Sequence, residues 1–424
     1  MGANPNTMTF KTVFSTEYQM SHFKQPSYQI LADTSLRSSL TKGQTLSRSY
    51  ASDVVVNDMG ADGSYSTQAI TDTAETITID KEKETSVYIK ELDVLQAHLP
   101  LKKKYGKKLA NALVNQIDAD VLLAVYQGAG TSLDDGDFSG TAGNGLTPTQ
   151  NNVATIFATA SQKLRLKNTI YFNGRFNSSM KLEEMENMPV AVVSPEILTY
   201  IELYQGAKAS NGGDTVTRNG HMFRFHGFEL FMSNALPWTG TLAMATTPTD
   251  GDTVVINGVT FTFKATPASA GDIDIKASAA LTMDELVASV NAPATTRSGD
   301  FIALSTADAN KLKNITATDA GATATFVSSG WGTVPVSETF TDGSDEWTAT
   351  KQQLHIIFSL ARQSASVVIQ KQPNMKTNPV TGKIGLDHIA WTVYGVKVFQ
   401  DQAPAIVSVA LNSSAFTGSS TTIN

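Results

Sequence analysis

Cysteine is absent from the 424 residues. Disulfide scaffolds, thiol nucleophiles and thiolate metal sites are thereby excluded, so stability must come from packing and assembly. Charge is scarce too: 17% of residues are charged and 41% hydrophobic, too little charge for a disordered chain and enough apolar material for real cores. No uninterrupted apolar stretch approaches the roughly 20 residues that cross a bilayer as a helix. The opening MGANPNTMTFKTVF has no apolar core behind a basic head, so no secretory signal is read there, and Asn6 misses the myristoylation pattern. Positive charge is in deficit. A net charge of −7 opposes a protein-wide grip on nucleic acid, though it leaves room for local contact.

Motifs of catalysis are missing as well. Only six histidines occur: His22, His98, His221, His226, His355 and His388. His221 and His226 are five apart in a strand-like stretch, so they fall on opposite faces and miss the helical His-x-x-x-His zinc spacing. Packing or surface roles are expected for all six. Neither a Gly-x-x-x-x-Gly-Lys-Ser/Thr phosphate loop nor a Gly-x-Ser-x-Gly elbow is present. Asp134-Asp135-Gly136-Asp137 invites a calcium reading, but it lacks the alternating ligands and distal glutamate of an EF loop. A solvated turn is expected there and at Asp342 to Glu346. Glu183 and Glu184 adjoin and diverge on a helix, so they make no acid/base pair. A non-enzyme is expected, with no catalytic, cofactor or metal residue assigned.

What is present is a succession of distinct parts. At roughly 150 residues per domain the length suggests about three domains, or two with one interrupted. Residues 1 to about 50 are polar, with isolated anchors at Phe10, Val13, Phe14, Tyr18 and Phe23, an extended arm without a core of its own. Residues 50 to 95 read as a long hairpin: ASDVVVND, the turn cluster MGADGSYS, then a return in which Ile77, Ile79, Val87 and Ile89 alternate with polar residues. A lone two-stranded ribbon is barely stable in water, so it should lie on something else. Residues 101 to 126 carry one apolar stripe, Leu109, Leu113, Ile117, Val121 and Ala124, entered by Pro100 and closed by Gly128 and Gly130. A rod of roughly 38 Å follows. Lys102, Lys103, Lys104, Lys107 and Lys108 crowd its start, where the helix dipole disfavours cations. The patch suits phosphate or the acidic ribbon of a neighbour; a solvated polar face is the plainer alternative.

Further helices are expected at about 150 to 166, capped by Thr149 or Asn151, and after the buried strand Val190–Val193, with Ser194 as cap and Pro195 at the first position. Residues 220 to 237 read as two strands around Gly227. From about 239 to 350 the chain turns rich in Thr, Ala, Gly and Asp. Here Asn257-Gly258 predicts a type I′ hairpin, Thr282 and Glu285 a capping box, and residues 300–304 and 323–327 further strands. From about 352 the composition reverts to that of the residues before 239. The simplest organisation is a module at 239–350 inserted into an interrupted domain.

The order of these parts resembles the major capsid protein of tailed bacteriophages, with the Hong Kong 97-like fold. The resemblance rests on the arm, the ribbon, PLKKKYGKKLANALVNQID, MPVAVVSPEIL, HGFELFMSNALP and WTVYGVKVFQDQAPAIVSVAL, and covers nearly everything outside 239–350. It implies an α+β fold: N-terminal arm (1–50), extended β-hairpin loop (51–97), peripheral domain with spine helix (98–200), discontinuous axial domain (201–238 and 351–424), and an inserted β-rich α+β domain (239–350) on the outer surface. It implies a homo-oligomer of hexamers and pentamers, an icosahedral shell around double-stranded DNA held by non-specific contact. The implied partners are a portal, a separate scaffolding protein (the alternative being a leader already removed from this chain) and a decoration protein, without membrane or cofactor. The location implied is the virion capsid, assembled in the host cytoplasm and locked non-covalently. Lys102, Lys103, Lys104, Lys107 and Lys108 become an inward-facing or inter-subunit basic patch. The alternatives are an encapsulin-like nanocompartment shell, which is usually shorter, and a phage tail or adhesin protein, which would need mostly strands.

Overall fold

The computed structural model describes residues 26–38, 43–51, 54–59, 61–65, 67–92, 101–167, 188–206 and 224–415. The arm anchors Phe10 to Phe23, together with His22, His98, Pro100, Glu183, Glu184 and His221, lie outside the described residues, as do the side chains of Lys102, Lys103 and Lys104.

The described chain opens with one helical turn, α1 (Tyr28–Leu31), then β1 (Ala32–Asp33), β2 (Thr45–Ala51), β3 (Asp72–Thr78) and β4 (Lys81–Lys90). β2 and β3 pair antiparallel, Thr45 opposite Thr78 and Ala51 opposite Asp72. The hairpin therefore starts ahead of residue 50, and only the first apolar piece of its expected return, Ile77 and Ile79, returns along it. The second piece, β4, crosses to another sheet and pairs with β19 (Gly385–Lys397). A glycine permits the crossing: a Cβ at Gly395 would stand 2.2 Å from the Thr78 carbonyl oxygen.

α2 (Leu101–Gln127) is the expected rod, and Leu109, Leu113, Ile117 and Val121 are buried along it. Leu109 and Leu113 pack on Ala390 and Val87, which lays the helix across β19 and β4. β5 (Thr131–Leu133) leads to α3 (Val153–Leu166). The expected cap at Thr149 or Asn151 is corrected: the N-cap is Asn152, which makes no side-chain bond into the helix. It pairs with Thr149 instead, Thr149 Oγ1 accepting from the Asn152 N–H at 3.2 Å and Asn152 Oδ1 from the Thr149 N–H at 2.7 Å. β6 (Pro189–Val193) is buried throughout and runs into α4 (Pro195–Gly206), where Ser194 Oγ accepts from the Ile197 N–H. β7 (Arg224–Phe225) and β8 (Phe228–Met232) flank a turn with positive φ at both His226 and Gly227.

Residues 239–350 contribute β9 (Trp238–Ala243), β10 (Thr253–Ile256), β11 (Val259–Lys264), β12 (Asp272–Asp274), α5 (Ala279–Asn291), α6 (Thr306–Lys311), β13 (Ile315–Asp319), β14 (Thr323–Ser328), β15 (Val336–Glu338) and β16 (Glu346–Trp347). Asn257 and Gly258 both hold positive φ, 50° and 71°, as the type I′ turn requires. Two expectations here are corrected. The cap of α5 is Ser278, whose Oγ accepts from the Leu281 N–H, while Thr282 is buried inside the helix with its hydroxyl donating to the Ser278 carbonyl. Residues 300–304 form no strand; Phe301 makes isolated bridges to Ile273 and Arg297, because the chain doubles back tightly from Arg297.

β17 (Gln353–Leu360), β18 (Ala365–Pro379), β19 and β20 (Val407–Asn412) complete the chain. One sheet runs β1-β18-β19-β4. A ten-stranded sheet runs β13-β14-β9-β17-β6-β8-β7, with β16 on β9, β20 on β17 and β5 on β20. A smaller sheet runs β12-β11-β10-β15. The 239–350 segment is thus a lobe with a sheet of its own that also extends the large sheet through β9, β14 and β13. Its interior is continuous with the main core: Phe261, Met283 and Leu286 share one apolar cluster with Ile117 and Phe157.

Candidate functional site

The hairpin β2–β3 ends in a tip that no described residue covers. Val54, Val55, Val56, Met59, Tyr65 and Ile70 are all exposed, Val56 to 95%. Gln68 braces the tip: its Oε1 accepts from the Val55 N–H at 3.0 Å, and its Nε2 donates to the Val55 carbonyl. Val54, Val55, Met59, Tyr65 and Ile70 line a shallow groove of about 300 Å³. Each such side chain gains roughly 1.5–3 kcal/mol when fully buried. Six together form one contiguous apolar patch rather than scattered exposure.

The stem, by contrast, is held to the body. Ile77, Ile79, Val368 and Phe399 form a small core with Leu46 and Val393 packed against it. Arg48 pairs with Glu75 at 3.1 Å and with Asp401. The hairpin is therefore fixed at its root and, among the described residues, bare at its end.

α2 ties the parts together. Asp120 accepts from the Tyr394 hydroxyl at 2.6 Å and from Gln116 Nε2 at 3.0 Å, with Lys81 Nζ at 3.6 Å. Burial, reinforced by Asp120 and Asp80, pushes the Tyr394 phenol far above its ordinary pKa, so it stays a donor. Gln116 also exchanges amide hydrogen bonds with Asn314 of the lobe, at 3.0 and 2.9 Å. Sequence patterning missed this network, although Asp118 and Asp120 interrupting an apolar helix was a visible signal.

Of the predicted basic patch, Lys107 and Lys108 are exposed at the start of α2, and no ion pair to either occurs among the described residues. The acidic turns are occupied by main chain. Asp134 accepts from the N–H groups of Gly136 and Gly143, and Asp135 from that of Thr141. Asp342 accepts from Ser344, and Asp345 from Ala245 and Thr246. Among the described residues no three potential metal ligands converge. His226 lies exposed in its turn, His388 is buried beside Thr377, and His355 is buried against Thr239 and Tyr126.

Neither a protein-family model nor a curated protein sequence matches the chain. Solved structures do. A structure of Mycobacterium phage Che8 is 14% identical, with 96% of this chain and 98% of that chain covered, at a TM-score of 0.55. The capsid structure of cyanophage P-SCSP1u is 11% identical, with 95% and 93% covered, at 0.52. Likeness over almost the whole of each chain shows the fold: the mixed helix-and-sheet architecture of Hong Kong 97-like phage capsids.

Proposed function

We propose that this chain is the shell subunit of a tailed-phage head, assembling through hexamers and pentamers into an icosahedral container for double-stranded DNA. The observation that carries the reading is the bare apolar tip at 54–70 on a chain with a capsid fold. A hairpin clamped at its root and uncovered at its end gains its missing burial only from another copy. Closed point-group assembly then covers the tip on every subunit.

Charge supports the same reading. Residues 239–350 hold 5 of the 32 Lys and Arg but 13 of the 39 Asp and Glu, so the lobe carries essentially all the net negative charge and the rest is near neutral. A near-neutral wall has no overall positive field to hold packed DNA, so attraction is confined to local cation clusters. On this reading the residues before β2 are the arm, β2 and β3 with the tip between them the extended loop, 98–200 the peripheral domain, 201–238 with 351–424 the axial domain, and 239–350 an outer lobe. Lys102, Lys103, Lys104, Lys107 and Lys108 then meet DNA phosphate or a neighbour's acidic ribbon. A portal, a scaffolding protein and a decoration protein are its partners on this reading, and assembly takes place in the host cytoplasm.

Negative-stain microscopy of the purified chain, with a nuclease-protection assay on particles made in the presence of DNA packaging, tests the proposal. Closed shells holding nuclease-resistant DNA are expected. Shells that enclose protein cargo and no DNA would point to a nanocompartment. A monomer that persists at high concentration would overturn the reading.

A further inference from the structure

Asp118 is fully buried at the middle of α2, and its carboxylate reaches the segment that precedes β1. Its Oδ1 accepts from the Ser27 N–H at 2.7 Å, the Ser27 hydroxyl at 2.9 Å and the Tyr28 N–H at 2.8 Å. Ser27, the N-cap of α1, makes no side-chain cap bond of its own. The acceptor that a helix start normally takes from its own cap residue is supplied here from a position 91 residues away.

The opposite side of the segment is held by main chain. The Arg362 N–H donates to the Ile30 carbonyl, and the Ser364 N–H to the Leu31 carbonyl. β1 then pairs parallel with β18, Ala32 beside Ala365 and Asp33 beside Ser366. Leu31 is wholly buried between these supports. Residues 27–33 are thus a strap threaded between the middle of α2 and the turn joining β17 to β18.

We infer that Asp118 is a positioning residue for assembly: it fixes the place on the subunit, between α2 and the turn joining β17 to β18, at which the chain enters the strap at Ser27. The assembly part of this inference rests on the shell reading above. The physical argument is reciprocity. With the strap in place, the buried carboxylate receives charge-assisted hydrogen bonds and α1 receives its cap. With the strap released, the buried carboxylate loses three donors, while two main-chain N–H groups lose their acceptor. Three hydrogen bonds converge on one carboxylate oxygen, so the strap docks in one pose rather than sampling several.

Hydrogen exchange of the full-length free subunit, read alongside particle yield, tests this. In Asp118→Ala, exchange at residues 28–33 should rise by about tenfold or more while α3, β6 and β17 keep their protection, and particle yield should fall. Asp118→Asn, which keeps an acceptor and loses the charge, should lie between. Ser27→Ala removes the hydroxyl donor at 2.9 Å and leaves α2 unaltered; it gives a smaller rise at the same residues should the Asp118→Ala variant not fold. Unchanged exchange at 28–33, or a rise shared equally by the whole core, would overturn the inference. So would a loosened strap with undiminished shell yield. Failure of the wild-type chain to form shells at all would instead count against the shell reading, and the exchange result would still decide the role of Asp118 in holding the strap.

Discussion

The guanidinium of Arg48 lies 3.8 Å from the centre of the Phe399 ring. The same group is ion-paired with Glu75 on β3 and Asp401 beyond β19, so one side chain joins both strands of the hairpin to the body. Stacking on an aromatic face and partly exposed ion pairing together contribute on the order of 1–2 kcal/mol. Arg48→Ala should speed hydrogen exchange in β2 and β3 and leave β17 and β6 unchanged. The ionic share should weaken between low and high salt in the wild type and be absent from the variant. Equal exchange in the two proteins would show that the small core around Ile77 and Val368 holds the stem alone.

The tip makes a different prediction. Val56→Asp places a charge on a side chain that is 95% exposed, so the free subunit should keep its melting temperature within about 1 °C, as surface changes do. Assembly should be lost, because a covered aspartate would be buried unpaired. Sedimentation velocity reads both states; normal shells from the variant would remove the tip from the interface.

His355 gives the pH dependence. Its ring stacks on Tyr126 at 4.0 Å between centroids, and its Nε2 shares a hydrogen bond with Thr239 Oγ1 at 2.9 Å. Burial holds its pKa down at about 3, against 6.5 in the unfolded chain. The unfolded state therefore takes up the proton first on acidification. This contribution to stability is complete above pH 6.5 and is lost as pH falls from there toward 3, at about 1.4 kcal/mol per pH unit. Urea midpoints at pH 7 and 4.5 should fall more steeply for the wild type than for His355→Gln. Parallel falls would exclude this histidine as the group responsible.

Asn314 sits at a φ of 69° while exchanging amide hydrogen bonds with Gln116. Asn314→Gly loses the side-chain bonds but keeps the backbone at ease, costing roughly 1–3 kcal/mol. Asn314→Ala loses the same bonds and adds about 1 kcal/mol of left-handed strain. Glycine should therefore be the milder change, as measured by chemical denaturation. The reverse order would mean that backbone strain at this position is relieved elsewhere.

The lobe enters and leaves at one place. Ala243 faces Glu346 across the β9–β16 ladder, and Asp345 accepts from the N–H groups of Ala245 and Thr246. Replacing 245–344 with a short turn should leave a folded subunit, because β9 keeps its pairing with β17. Stability should be lower, since β14 no longer covers the other edge of β9 and the Gln116–Asn314 contact is gone. Insoluble protein from every junction length would show that the lobe is part of the obligatory core.

Some elements were legible because their causes lie within a few residues. The stripe from Leu109 to Val121 made α2, Ser194-Pro195 began α4, and Asn257-Gly258 turned β10 into β11. The misplaced cap at Thr282 was an error of one helical turn, since Ser278 offers the same chemistry four residues before it. The hairpin return was harder. Ile77 and Ile79 share the period of Val87 and Ile89, and nothing local says that a carbonyl at Thr78 will meet a glycine at 395.

The sequence by itself determined the kinds of element, their order and the absence of cysteine chemistry, because propensity, capping and hydrophobic period act over short spans of chain. Only the tertiary structure decided that β4 leaves the hairpin for β19, that the lobe's strands extend the large sheet, and that Asp118 caps a helix begun at Tyr28. Those outcomes depend on which edges, carboxylates and N–H groups remain unpaired once distant segments pack together, and no window along the chain contains that information.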